Sequence, residues 1–218
     1  MMMFVLSVPL RVWAIPPTNI PTSLSQHDDT SGPAQPAGFT DTDTTIVFKG
    51  MVSDPVSAPL LRLEVEIQPV GTTFMNVSTV GSALVSNEAI ASVSYGGLSL
   101  GSYHWQARTI TSTDSRPSAW VSFGSNAETV ADFSIDDTPP NTTITSAPAA
   151  STTATSASFS FTATETSSFG CLRDGGAYFI CTSPQAYSGL AVGTHTFQVR
   201  ATDVANNTDP TPASFSWT

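Results

Sequence analysis

Residues 95–108 read YGGLSLGSYHWQAR, and residues 187–200 read YSGLAVGTHTFQVR. Laid over one another without a gap, Tyr95 meets Tyr187, Gly97 meets Gly189, Leu98 meets Leu190 and Gly101 meets Gly193. Trp105, Gln106 and Arg108 then meet Phe197, Gln198 and Arg200. The separation, from Tyr95 to Tyr187, is 92 residues. Self-similarity at a fixed spacing marks a structural unit used more than once. A second pair of segments follows, ADFSI at 131–135 and ASFSW at 213–217, 82 residues apart from Ala131 to Ala213. The first copy therefore holds ten more residues between its two blocks, and they fall around Ser118–Val130.

Working outward, each copy alternates apolar and polar residues with a period of two, the signature of a half-buried strand rather than a helix. Leu61, Leu63, Val65 and Ile67 oppose Arg62, Glu64, Glu66 and Gln68; Ile46, Phe48, Gly50 and Val52 share one face of the preceding run. In the second copy Ala157, Phe159, Phe161 and Ala163 line up, and His195, Phe197, Val199 and Ala201 oppose Thr194, Thr196, Gln198 and Arg200. Short alternating runs broken by Gly, Pro, Asn and Asp predict an all-β chain of two tandem antiparallel sandwiches. Between the copies lies SIDDTPPNTT, where Pro139-Pro140 imposes an extended connection. The expected organisation is a sandwich over 18–136 and a second over 137–218.

Composition agrees. Charged residues are 11% of the 218, against about 25% in an average domain. Ser and Thr fill the polar positions instead, and Thr suits a pleated sheet. The net charge of −10 and a sequence pI near 4.3 repel phosphate backbones, and the seven Lys and Arg form no stripe, so nucleic-acid binding is not expected. No run approaches the roughly 20 apolar residues of a membrane-spanning helix. The N-terminal MMMFVLSVPLRVWA is apolar from Met1 to Leu10. Residues 1–17 read either as a signal-like leader that lacks its basic n-region or as the last strand of a preceding domain. SFSWT, at the other end, stops inside what reads as a final strand. Both readings place the chain outside the cytoplasm, secreted or at a cell surface.

Two families are resembled. LSLGSYHWQART is similar to the E–F corner of fibronectin type III domains, with Leu98, Gly101 and Tyr103 at the matching places. The resemblance implies that Tyr103 is the corner tyrosine whose hydroxyl binds nearby backbone, and that Trp120 is the aromatic opening the last-strand region. The second copy, from DTPPNTTITSAP through FGCLRDGGAYFICTSP to ASFSW, resembles the Ig-like repeats of large secreted bacterial proteins; there His195 stands where the corner tyrosine would be. Both resemblances imply extracellular, modular and usually non-catalytic domains, and neither implies a ligand.

Four groups of residues invite a functional reading. Cys171 and Cys181 flank LRDGGAY, and Asp-Gly-Gly favours a tight hairpin that brings the two sulfurs onto neighbouring strands. A structural disulfide is expected in an oxidising compartment, because no His or third Cys lies nearby and the spacing is not that of a CxxC pair. The acidic loops form the second group. Asp136 and Asp137 from the linker, Glu165 from the B–C loop, and Asp203, Asn206 and Asn207 from the F–G loop are expected at one end of the second sandwich, with Asp41 and Asp43 facing the same place. Converging carboxylate and amide oxygens suit Ca²⁺, which takes six to eight oxygen ligands; acidic turn residues without an ion are the bland alternative. The third group is Trp120 and Phe123 beside the ten-residue excess, which either stack on a sugar or pack on the core edge. Tyr103, Trp105 and Phe197 are expected to be structural.

The fourth group is catalytic, and it is weak. No GxSxG elbow, phosphate loop or zinc spacing is present. Glu64 and Glu66 are placed by alternation on the solvent face of one strand, where two like carboxylates have no reason to divide into acid and base. His104 is expected on an outer strand face and His195 on an inner one. The functional expectation is a non-catalytic spacer or adhesion module of a surface or secreted bacterial protein. Its partners would be flanking domains of a longer chain and an extracellular protein or glycan. The alternative is a carbohydrate-binding accessory to a secreted hydrolase.

Overall fold

The runs read as alternating are strands, and their inward residues are the core. The structure, a computed structural model, describes residues 18–56, 60–113 and 115–218. The expectation for residues 1–17 lies outside the described residues. By packing the chain divides into two compact units. One gathers the described residues up to Ala37 with Ile46–Tyr95 and Tyr103–Asp132; the other gathers Gly38–Thr45, Gly96–Ser102 and Phe133–Thr218. Along the chain the last change of unit falls at Phe133.

The strands, in chain order, are β1 (Thr22–His27), β2 (Phe39–Asp41), β3 (Ile46–Val52), β4 (Leu61–Pro69), β5 (Val80–Gly81), β6 (Ala89–Tyr95), β7 (Gly101–Thr111), β8 (Val121–Ser122) and β9 (Phe133–Ile135). They continue as β10 (Thr142–Ser146), β11 (Ser156–Ala163), β12 (Ser167–Arg173), β13 (Phe179–Cys181), β14 (Gln185–Ser188), β15 (His195–Asp203) and β16 (Ala213–Trp217).

In the first unit β1-β3-β6 form one antiparallel sheet, and β5-β4-β7 form another, with β8 against β7. The β4–β7 register pairs Val65 with Ala107 and Ile67 with Trp105, so the inward residues of both strands meet across the ladder. Ile46, Phe48, Leu63, Val65, Trp105 and Ala107 are buried between the sheets, and Phe48 meets the Trp105 ring edge-on at 4.8 Å.

In the second unit β10-β11-β14 form one sheet and β13-β12-β15-β16 the other, the seven-strand, two-sheet plan of an Ig-like or fibronectin type III-like sandwich. A short parallel pair, β2 with β9, also belongs to this unit. Phe159, Phe161, Phe197, Val199 and Trp217 fill the core, with Phe159 and Phe197 stacked at 4.1 Å between centroids. The expected hairpin is present. Asp174 and Gly175 have φ of 52° and 71°, and the Gly176 amide donates to the Arg173 carbonyl at 3.0 Å, the backbone of a type I′ turn. Cys171 and Cys181 are joined across it and contribute to the core.

One expectation is corrected. Four outward side chains of β4 and β7 do not face water: Glu64 and Glu66 are buried, as are His104 and Gln106. The segment after β4 folds back over this face. Glu66 accepts hydrogen bonds from the Met75 amide at 2.6 Å, Gln68 Nε2 at 3.1 Å and Gln106 Nε2 at 2.7 Å. His104 Nε2 lies 2.8 Å from the Thr72 carbonyl, and its ring packs on Phe74. Burial pushes the Glu66 carboxyl up, but the donors around it outweigh burial and hold it below its ordinary value. Glu64 is instead ion-paired with Arg62 at 2.6 Å and Arg108 at 2.8 Å.

Candidate functional site

At one end of the second unit the chain leaves β9, and the connections β11–β12 and β15–β16 return beside it. Three carboxylates meet there. Asp136, Glu165 and Asp203 each place an oxygen so that all lie within 4.8 Å of one another. Asp203 is buried, Asp136 half-buried and Glu165 exposed.

The loop after β15 holds the group in place. The Asn207 amide donates to Asp203 Oδ1 at 2.9 Å, and Asn207 Nδ2 donates to Asp203 Oδ2 and to the Asp136 carbonyl, each at 2.9 Å. The Asp136 amide donates to the Asp41 carbonyl at 2.8 Å. A little further on, Asp209 Oδ2 accepts from the Thr142 amide at 2.8 Å, and its Oδ1 accepts from the Thr211 amide and hydroxyl. Asn206 takes the left-handed conformation at φ 69°, which asparagine tolerates.

No compensating cation is built in: among the described residues none of the ion pairs involves Asp136, Glu165 or Asp203. Desolvation, then repulsion from Asp136 and Asp203, pushes the Glu165 carboxyl up from its ordinary value. The first unit differs at the matching place. Asp54, two residues beyond β3 as Glu165 is two beyond β11, is buried and paired with Arg116 Nη2 at 2.8 Å. Thr111, matching Asp203 at the end of the repeat's long strand, carries no charge and accepts from the Arg116 amide. A guanidinium thus meets the carboxylate in one unit, while three carboxylates meet each other in the other.

Of the acidic residues singled out in sequence, Asp136, Glu165 and Asp203 come together. Asp137 lies outside the group. Asn206 contributes its backbone, donating from its amide to the Asp203 carbonyl, and Asn207 supplies the side-chain brace. Hard oxygen donors without nitrogen or sulfur suit Ca²⁺ over transition metals.

The two aromatic residues of the ten-residue excess are engaged elsewhere. Phe123 stacks on Trp105 at 4.8 Å with planes 16° apart. Arg108 lies 4.5 Å over the Trp120 ring. Both residues are half-buried. The excess is tied down by a polar brace absent from the second copy's plan. Trp105 Nε1 donates to Gln26 Oε1 at 2.8 Å, Gln26 Nε2 donates to the Asp132 carbonyl at 2.6 Å, and Asp132 accepts from the Trp105 amide and Asn126 Nδ2. Gln26 was not legible as a brace, because it sits in a strand whose neighbours alternate irregularly around a bulge between Thr22 and Ser25.

No family model matches the sequence, and no curated protein matches it. Among solved structures the chain is similar to the fibronectin(III)-like modules of Clostridium thermocellum CbhA, at 18% identity and a TM-score of 0.44, over 89% of this chain and 92% of that one. It is also similar to dimeric latent PorU from Porphyromonas gingivalis, at 14% identity and a TM-score of 0.29, over 93% of this chain and 24% of that one.

Proposed function

We propose that the chain is a non-catalytic structural module of an extracellular protein, serving as spacer or adhesion segment. The observation that carries this reading is the use made of buried polar groups. Gln26, Glu66, His104, Asp132 and Asp209 are each buried, and each is spent on fastening a loop to a sheet. Such braces rigidify a fold, and burial keeps the groups out of a substrate's reach. The Cys171–Cys181 disulfide supports an oxidising surrounding. Antibody against the chain is expected to label intact cells of the producing organism, or their medium, and brief protease treatment of intact cells is expected to remove the cell-bound signal. Labelling only after lysis would overturn the extracellular reading.

A second reading adds a ligand to the same module: Asp136, Glu165 and Asp203 hold Ca²⁺, with water completing the shell. It is favoured by three carboxylates within 4.8 Å of one another, none of them in an ion pair among the described residues. Binding to the folded state alone raises stability by about 2.7 kcal/mol at free Ca²⁺ a hundred times the dissociation constant. The melting temperature is expected to rise in millimolar Ca²⁺ relative to EDTA. Glu165→Gln, an exposed substitution, is expected to abolish that rise while slightly raising stability in EDTA by relieving repulsion. An unchanged melting temperature in the parent chain removes the calcium reading and leaves the structural one standing.

A further inference from the structure

His195 opens β15, and both of its ring nitrogens face hydrogen-bond acceptors. Nδ1 lies 2.9 Å from Asp174 Oδ2, and Nε2 lies 2.9 Å from the Ala191 carbonyl. Neither a carboxylate nor a carbonyl has a proton to give, so each ring nitrogen must carry its own. The geometry is that of an imidazolium. Asp174 is fixed in turn: its Oδ1 accepts from the Thr196 amide at 2.8 Å, and its own amide donates to the Thr196 carbonyl at 3.0 Å.

We propose that His195 is a proton-dependent latch, pinning the 174–176 turn and the 190–193 loop together at one end of the second unit. The loop it holds borders a cavity of about 220 Å³, walled also by Thr152, Thr155 and Trp217. Leu190 anchors the start of the loop, buried in the core and bonded through its amide to the Thr155 carbonyl. Val192 at the loop's centre is fully exposed, so the latch is what holds the stretch beyond Leu190. Loss of one proton leaves the ring a single N–H and turns the other nitrogen into an acceptor facing an acceptor. One of the two bonds must then break.

Of the two charges beside the ring, Asp174 favours the protonated form and Arg173 opposes it. Arg173 Nε stands 3.4 Å from Asp174 Oδ2, the oxygen that His195 also approaches, and its guanidinium lies over the Tyr187 ring. The Trp217 ring packs against the imidazole at 5.3 Å, and the 151–155 wall is made of Ser, Thr and Ala. The hydrogen bond to Ala191, then the bond to Asp174 and its charge, raise His195 above its ordinary value of 6.5, and outweigh desolvation and Arg173. A histidine raised on folding adds stability that is complete below its ordinary value and disappears as pH climbs through the folded one. The latch is therefore closed below the histidine's raised value and opens as pH climbs through it.

The test is an NMR titration of the whole chain with hydrogen exchange read at the 190–193 amides. His195 is expected to titrate above 6.5. Corrected for base catalysis, exchange in the loop is expected to rise about fivefold through the same midpoint, the worth of one hydrogen bond. Asp174→Asn is expected to lower the His195 midpoint, and His195→Gln to remove the pH-dependent step in exchange. A His195 midpoint at or below 6.5, or a step that persists unchanged in His195→Gln, would overturn the latch.

Discussion

Two buried aspartates carry opposite consequences for pH. For Asp209, burial acts upward, but the donors from Thr142 and Thr211 outweigh it and hold the carboxyl below its ordinary value. Its contribution is complete above that value and is lost as pH falls through the depressed one. Asp132 has a donor on each oxygen yet lies above its ordinary value, because burial outweighs the Trp105 amide and Asn126. Its share runs the other way, complete at low pH and lost as pH rises. Asp209→Ala leaves the Thr142 and Thr211 amides without their acceptor and should cost about 1–3 kcal/mol at pH 7. Urea unfolding at pH 7 and pH 3 checks it: the parent should lose stability between the two, and the variant should lose less of it. An equal loss in both would mean that Asp209 is not the group responsible.

At the scale of elements, the disulfide and the loop over β4 and β7 differ in how they hold. Cys171 and Cys181 are 10 residues apart, and closing so short a loop stabilises by about 2–3 kcal/mol in the chain-entropy account. Replacing both with Ala should lower the melting temperature of the second unit only. The 71–79 loop hangs instead on Glu66. Glu66→Gln offers one carbonyl oxygen where a carboxylate serves Met75, Gln68 and Gln106. Limited proteolysis should then cut within 71–79 faster than in the parent, while the core strands stay protected. The strands and the hairpin were legible in sequence because period-two alternation and Asp-Gly-Gly are local signals. The cover over Glu64 and Glu66 was not. Alternation reports that a side chain points away from the core, and it is blind to a loop that later folds over that face. Phe74, an aromatic residue inside a polar connection, was the one available hint.

At the scale of the whole molecule, the repeat joining Tyr95–Arg108 to Tyr187–Arg200 foretold two sandwiches, and the inequality of the copies has a structural cause. The ten extra residues of the first copy lay Phe123 on Trp105 and bring Asn126 to Asp132. The carboxylate group was legible as far as Asp136, Glu165 and Asp203, since sandwich topology assigns loops to ends. Which of Asn206 and Asn207 braces it depends on a single left-handed residue, and that lies below what a residue pattern resolves. Two sandwiches that fold as separate units should also unfold separately. Pulling the chain by its two ends in a single-molecule force experiment tests it most directly. Two separate unfolding steps are predicted. Under reducing conditions one of them should lengthen by about 30 Å, the contour of the 10-residue separation between the cysteines less the 5.8 Å that the disulfide already spans. A single step, or gradual extension without a force peak, would contradict the account.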